Sequence, residues 1–132
     1  MKFHKLFLFA LIALGMQACV QPAKKVADSL VKYYRGIQFS ESPWYTEKGA
    51  HELTAKEAKT INNYKFTYNE NKQLASVDYN RNNVMLDYSS MNAAKVTYTY
   101  EGDKQIKRFF NEKNEPIKNG GASVFEYKLD VS

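Results

Sequence analysis

The sequence predicts an α+β fold: an N-terminal helix and a short second helix packed on an antiparallel β-meander of five to six strands. First, aromatic and polar residues alternate in Tyr64–Tyr68 and again in Val96–Tyr100. A period of two places successive side chains on opposite faces of a strand. Second, short turns rich in Asn, Gly, Lys and Glu divide this region at regular intervals. Third, apolar residues upstream recur at helical spacing.

The region 64–129 contains all the predicted strands. They lie near 64–69, 73–79, 84–88, 94–101, 105–111 and 122–129. Turns of three or four polar residues join most of them, and such short connections allow only antiparallel neighbours. Phe109 and Phe110 interrupt the alternation, which predicts either that both faces are covered there or that a bulge turns one ring.

Two segments outside this region carry helix signals. From Lys24 to Arg35, Val, Leu and Tyr residues recur every three or four positions, and Gly36 provides a C-terminal stop. Thr54 and Glu57 form a capping box, which predicts a short helix that runs to about Asn62. The segment 39–50 has no clean period and is predicted to be a loop.

The first 18 residues have the features of an export signal. Lys2 and Lys5 precede an apolar run, Leu6–Leu14, which is too short to span a bilayer and typical of a secretory leader. Met16–Cys19 resembles the lipobox of bacterial lipoproteins. The resemblance implies that Cys19 becomes the lipidated first residue, that 19–23 is a tether, and that 24–132 is a single domain anchored in the envelope, at the outer membrane or cell surface. Cleavage by the ordinary signal peptidase and an uncleaved anchor remain alternatives.

Composition limits the classes of function. A chain of 132 residues has room for one domain, and its one cysteine has no partner for an internal disulfide. Two leader lysines account for two of the five net positive charges, which leaves +3 on the remainder. That charge is spread without a basic cluster, so we predict no nucleic-acid partner.

No arrangement of residues indicates catalysis, a cofactor or a metal. His51 is the only histidine after the leader, and no Cys/His cluster is present for zinc. Asp78, Asp87 and Glu101 are scattered singly rather than paired as in a glycosidase. The turn at 111–115 lacks the alternating Asp spacing of a calcium loop. We therefore predict a protein that is not an enzyme, without cofactor or metal.

Aromatic residues are the candidate ligand contacts. Trp44 and Tyr45 are adjacent in a predicted loop, and Tyr98 and Tyr100 share one strand face. Rings stack on sugars and peptides, and tyrosine hydroxyls form hydrogen bonds. The alternative for Trp44 is that it plugs one end of the sheet. The alternative for the tyrosines is that they are half-buried strand formers.

A turn motif recurs within the sheet region. Tyr68–Leu74 and Tyr100–Ile106 share an aromatic residue, polar turn residues, Lys, Gln and an aliphatic residue, and Phe110–Ile117 is a looser third copy. At these residues the sequence resembles the YD-type (RHS-like) repeats of exported bacterial proteins. The resemblance implies strand–turn–strand geometry over 64–129 and implies no activity.

These observations favour a non-enzymatic bacterial envelope lipoprotein. We expect it to act as a binding or structural module, anchored to the membrane through a lipid on Cys19, with a protein or glycan partner in the envelope. The alternative is a small exported inhibitor or immunity-type protein that blocks an exported enzyme. A third hypothesis is a hydrolase that uses carboxylates, which requires a deep pocket with two acids of separated pKa.

Overall fold

The computed structural model describes residues 30–39, 46–87 and 89–128, and these form one antiparallel sheet rather than an α+β fold. The strands are β1 (Val31–Phe39), β2 (Glu47–Leu53), β3 (Asn63–Tyr68), β4 (Leu74–Arg81), β5 (Val84–Met85), β6 (Lys95–Glu101), β7 (Lys104–Phe110), β8 (Pro116–Ile117) and β9 (Val124–Lys128). Helical structure in these ranges is confined to a 3₁₀ turn, Glu57–Lys59. The prediction of two helices on a sheet of five to six strands was wrong.

The strands run in the order β2-β1-β3-β4-β6-β7-β8. Two strands, β4 and β7, each pair with two successive strands along one edge. β5 and β6 lie end to end along one edge of β4, and β8 and β9 lie end to end along the outer edge of β7. All pairings are antiparallel, as the short turns predicted.

The predicted N-terminal helix is replaced by a strand. From Val31 onward the chain pairs with two neighbours, and Tyr34 lies opposite Tyr64 on β3 and Glu52 on β2. Of the segment predicted as a loop, 39–50, residue 39 ends β1 and residues 47–50 begin β2, whereas residues 40–45 lie outside the described ranges. Branched and aromatic residues fit a half-buried sheet well, and pairing on both edges outweighs a helical period in a short segment. Residues 24–29 of the predicted helix lie outside the described ranges.

The prediction of a second helix was also wrong, although the predicted capping hydrogen bonds form. The Thr54 backbone N–H donates to Glu57 Oε2 at 2.8 Å, and the Glu57 N–H donates to Thr54 Oγ1 at 3.2 Å. The backbone N–H of Thr54, followed by its hydroxyl, which donates to Glu57 Oε2 at 2.7 Å, lowers the pKa of the Glu57 carboxyl. The turn ends early because Asn63 is already buried in β3, where its Nδ2 donates to the carbonyls of Ala58 and Ile61 at 2.8 Å.

The six predicted strands correspond to β3, β4, β5, β6, β7 and β9. The prediction missed β1, β2 and β8. Phe109 and Phe110 point to opposite faces in an unbroken register with β6, so no bulge occurs there. The register shift lies instead between Thr67 and Tyr68, opposite Leu74.

Two of the three motif copies form the same turn. Asn69 Oδ1 accepts from the backbone N–H groups of residues 71 and 73, and Asn111 Oδ1 accepts from those of residues 113 and 115. Lys72 and Asn114 take matching left-handed conformations, with φ of 60° and 62°. The remaining copy is instead a two-residue turn at Gly102, with φ of 62°. Phe110–Ile117, the loosest copy in sequence, is therefore the one whose turn matches that of Tyr68–Leu74.

One face of the sheet carries the core. Its buried residues are Tyr64, Phe66, Leu74, Val77, Met91, Ala93, Val96, Tyr98 and Phe109. Tyr34 packs edge-on against Phe66, with ring centres 4.9 Å apart, and its ring occupies the space above Gly49. The sheet folds over this core, because the start of β2 reaches β7 although four strands lie between them in the sheet.

Candidate functional site

Two of the sequence-predicted contacts lie on the core side of β6. Tyr98 is only 4% exposed. Tyr100 is half-buried; its hydroxyl donates to the Leu74 carbonyl at 2.8 Å and accepts from Gln105 Nε2 at 3.3 Å. Burial raises the pKa of Tyr100. The structure therefore places both tyrosines within the fold, and the opposite face of β6 is the one that meets solvent.

The other sequence-predicted residues lie outside the described ranges. These are the lipidation residue Cys19 and the aromatic pair Trp44 and Tyr45, so their roles stay predictions. In the part of the chain that the structure describes, no helix is long and apolar enough to cross a bilayer.

His51 is exposed on β2, with a left-handed φ of 58°, rather than on the predicted loop. No group of three or more His, Cys, Asp or Glu side chains in the described ranges is placed to hold a metal ion. Asp87 and Glu101 are exposed, whereas Asp78 is half-buried. Of these three carboxylates, Asp78 is the one held by neighbouring side chains, those of Lys95 and Ser76.

A cavity of about 200 Å³ opens on the face of the sheet opposite the core. Its walls are Lys65, Asp78, Asn80, Asn83, Met85 and Lys95. The strand register explains why these residues meet. Lys65, Asp78 and Lys95 lie directly opposite one another on β3, β4 and β6, and Asn80 lies opposite Met85 on β5. Residues opposite one another on neighbouring strands have Cβ atoms about 5 Å apart.

Asp78 is the centre of this row of charges. Lys95 Nζ lies 3.6 Å from Asp78 Oδ1, and Ser76 Oγ donates to Asp78 Oδ2 at 3.3 Å. Asp78 Oδ1 is buried and accepts no hydrogen bond from the described residues. On the other side of Asp78, Lys65 makes no ion pair or hydrogen bond through its ammonium with any described residue. The cavity therefore combines an ion-paired carboxylate with a cation that has no partner among the described residues.

Asn80 carries a buried acceptor next to this ion pair. It is 3% exposed, and its Nδ2 donates to the Asp78 carbonyl at 3.1 Å. Its Oδ1 is buried and has no hydrogen-bond partner among the described residues. Most buried polar atoms in folded proteins are paired, so an unpaired one needs an explanation. The Asn80 oxygen is such an exception within the part of the chain that the structure describes.

A second polar cluster lies on the core side. Lys107 Nζ on β7 lies 2.5 Å from Glu47 Oε1 at the start of β2, and both side chains are almost fully buried. The ammonium also lies 5.6 Å from the centre of the Tyr98 ring. Glu47 Oε2, Tyr98 OH and Gln105 Oε1 lack hydrogen-bond partners in the described ranges. Because this pair joins distant strands across the core, it closes the folded sheet.

The cavity was not predicted from the sequence, although the alternation of residues in two strands predicts part of its lining. The alternation of β3 places Lys65 on the polar face, and that of β6 does the same for Lys95. The register between strands is what brings them to either side of Asp78, and local periodicity does not give that register. Asn80 was assigned to a turn, so its burial was not foreseen.

The chain matches no protein-family model, no curated protein and no solved structure. The features of the chain that bear on its function are therefore the chemistry of the cavity and the leader sequence.

Proposed function

We propose that this protein is a non-enzymatic bacterial envelope lipoprotein that acts by binding, and that the cavity of Lys65, Asp78 and Asn80 is its binding site. The observation that carries the binding role is the cavity itself. It sets the Lys65 ammonium, which has no ion-pair or hydrogen-bond partner among the described residues, beside the Lys95–Asp78 ion pair on the face of the sheet opposite the core. A cation in this position can form a charge-assisted hydrogen bond with an acidic or polar group of a partner.

The leader supports the location. Lys2 and Lys5, the apolar run Leu6–Leu14 and the single cysteine at position 19 occur in the order that lipoprotein processing requires. A lipid on Cys19 would hold the sheet close to a membrane surface. The partner we expect there is a protein or a glycan of the envelope.

Metabolic palmitate labelling of wild type and Cys19→Ala, with membrane fractionation of each, tests the location. We expect label and membrane association in the wild type and neither in Cys19→Ala. Met16→Leu, which brings the lipobox closer to its usual pattern, is the matched control and should keep the label. A wild-type chain without label, recovered as a soluble form that begins near residue 19, would refute the lipoprotein assignment.

The binding role is tested by adding soluble envelope extract to the isotope-labelled full chain and following its amide NMR signals. We expect shifts at Lys65, Asp78 and Asn80 and little change at Gly102, which lies in the turn at the opposite end of β6 from Lys95. Shifts that are absent, or that cluster elsewhere, would contradict binding in the cavity.

The alternative function, an exported inhibitor or immunity-type protein, is favoured by a different observation. β2 lies at one end of the strand order, and β8 and β9 lie at the other. Neither outer edge has a strand partner among the described residues, and an open edge can add a strand from another protein. A tight one-to-one complex with an exported enzyme, lost when Pro replaces a residue of β9, would support this alternative.

A further inference from the structure

We propose that one end of the sheet lies against the surface of the phospholipid bilayer and that the cavity lies in the half of the sheet away from it. We name this end the anchor end; it consists of Leu30, the turns 69–73 and 101–104, and Lys128. The orientation depends on the lipid at Cys19 proposed above. It follows from the strand register, from the reach of the residues between Cys19 and Leu30, and from the charges of the anchor end.

The strand register brings the parts of the anchor end together. All pairings are antiparallel, so the start of β1, the turn between β3 and β4, the end of β6 and the end of β9 lie at the same end of the sheet. The Tyr68 N–H donates to the Leu30 carbonyl at 2.9 Å, at the junction of β1 with the turn 69–73. The chain that follows Cys19 therefore joins the described structure at the anchor end.

The reach of the connecting residues favours one orientation. The eleven residue steps from Cys19 to Leu30 span at most about 40 Å when fully extended. β4 has eight residues and is about 27 Å long. If the opposite end of the sheet faced the bilayer, the connecting residues would have to run back along the whole sheet, which takes roughly two-thirds of their reach. Holding a chain that straight costs conformational entropy, and the anchor end at the bilayer avoids this cost.

The charges of the anchor end are balanced. Its two turns and the end of β9 carry three cations and three carboxylates, which are Lys72, Lys104, Lys128, Glu70, Glu101 and Asp103. Their formal sum is zero, so this end neither strongly attracts nor strongly repels an anionic lipid surface. Leu30 is 50% exposed and loses contact with water when this end meets the bilayer. The connecting chain, and not charge, is therefore expected to set the orientation.

This orientation leaves the cavity accessible to other molecules of the envelope. β4 begins at the anchor end with Leu74, whereas Asn80 lies near its far end and Asn83 lies in the turn that follows. Six residues of a strand span about 20 Å, so the Asn80 wall of the cavity lies about that far from the anchor end. A partner therefore reaches the cavity without displacing lipid.

Two turns of matching geometry provide probes at opposite ends of the sheet. Asn71 and Lys113 occupy equivalent, exposed positions in the turns that begin at Asn69 and Asn111, and the second turn follows the far end of β7. In the lipidated chain the Cys19 thiol carries the lipid, so Asn71→Cys or Lys113→Cys supplies a single thiol for a donor fluorophore. Energy transfer to acceptor-labelled headgroups in phosphatidylcholine vesicles measures the distance of each label from the bilayer. We expect the label at 113 to lie about 20 Å farther from the bilayer than the label at 71.

Two controls test why the sheet takes this orientation. Vesicles that also contain phosphatidylglycerol should give the same two distances, because the anchor end has no net charge. A change to equal distances would show that charge sets the orientation. Inserting about ten Gly and Ser residues between Ala23 and Lys24 should reduce the difference between the labels by about half or more, since a longer connection lets the sheet turn over. An unchanged difference would overturn the role given to the connecting chain.

The outcomes separate the orientation from the functions on which it depends. Equal distances for the two labels, or a shorter distance for the label at 113, would overturn the orientation while the lipid anchor stands. A chain that takes up no palmitate and stays off the vesicles would refute the anchor and the orientation together. If the distances are as expected and envelope extract shifts no cavity amides, the binding role fails and the orientation stands.

Discussion

The molecule contains two lysine–carboxylate pairs on opposite faces of the same sheet, and they are built differently. Lys107 and Glu47 are 2.5 Å apart, with side chains 8% and 1% exposed, and they join β7 to β2 across the core. Lys95 and Asp78 are 3.6 Å apart, with side chains 26% and 17% exposed, and they lie side by side on neighbouring strands. The first pair is a closed structural contact, and the second lies on the wall of a cavity.

The difference shows how one sheet can use the same residue types for two purposes. A pair deep in the core stabilises the fold only while both partners are present, because removal of one leaves the other as a buried, uncompensated charge. A pair on the polar face keeps contact with solvent, so its charges are partly screened and its geometry can adjust to a ligand. The core face therefore carries the pair that stabilises the fold, and the proposed binding cavity lies on the polar face.

The largest expected effect comes from breaking the core pair. Lys107→Met leaves the Glu47 carboxylate buried without its cation, and this should lower the free energy of unfolding by about 3–5 kcal/mol. Urea denaturation followed by circular dichroism measures the change. The double variant Lys107→Met, Glu47→Leu should recover most of the loss because it removes both charges. A single variant within about 1 kcal/mol of wild type would contradict the structural role.

A smaller effect is expected at the pair on the polar face. Lys95→Met should lower the free energy of unfolding by about 1 kcal/mol or less, because the pair is longer and partly exposed. The same urea denaturation, repeated at high salt, is the measurement. High salt should reduce the contribution of Lys95 and leave that of Lys107 largely unchanged, since screening acts weakly on buried charges. If Lys95→Met proved as damaging as Lys107→Met, the contrast between the two faces would fail.

A third effect concerns stability at alkaline pH and comes from the tyrosines. Burial, followed by the neighbouring Tyr34, raises the pKa of Tyr68 from 10.0 to about 12. Below about pH 10 Tyr68 is protonated in the folded and unfolded states and adds no pH dependence. Between about pH 10 and 12 the unfolded chain loses this proton while the folded chain keeps it, so the free energy of unfolding should fall as the pH rises.

Urea denaturation of wild type and Tyr68→Phe across that interval measures the tyrosine contribution. The variant should lose stability less steeply than the wild type. Tyr100→Phe should act in the same direction, because burial also raises the pKa of Tyr100. Identical slopes for wild type and both variants would mean that groups other than these tyrosines govern the alkaline transition.

Part of the fold could be predicted because its signals are local. Tyr64, Phe66 and Tyr68 alternate with polar residues, and this alternation placed β3 correctly. The short polar turns predicted the antiparallel pairing. β1 failed because its aromatic spacing fits a helix as well as a strand, and its contacts with β2 and β3 decided between them. The capping box at Thr54 formed its hydrogen bonds, yet no helix followed, because Asn63 is buried in β3 directly after it.

The candidate site was less accessible to prediction. Lys65 and Lys95 could be assigned to a polar face, but no property of either residue indicates that Asp78 lies between them. The burial of Asn80 depends on β5, a two-residue strand too short to give a periodic signal. For Tyr98 the strand was predicted correctly, but the face on which its side chain lies carries the core.

By itself the sequence determined the strand-rich region, its antiparallel connections and the chemical signature of the leader, because these depend on residues close together in the chain. The tertiary structure decided the strand register, the folding of β2 onto β7 and the cavity on the polar face. Those features join residues such as Glu47 and Lys107, which lie far apart in the chain. Such contacts stabilise the protein only when the whole sheet has formed, so no local pattern in the sequence predicts them.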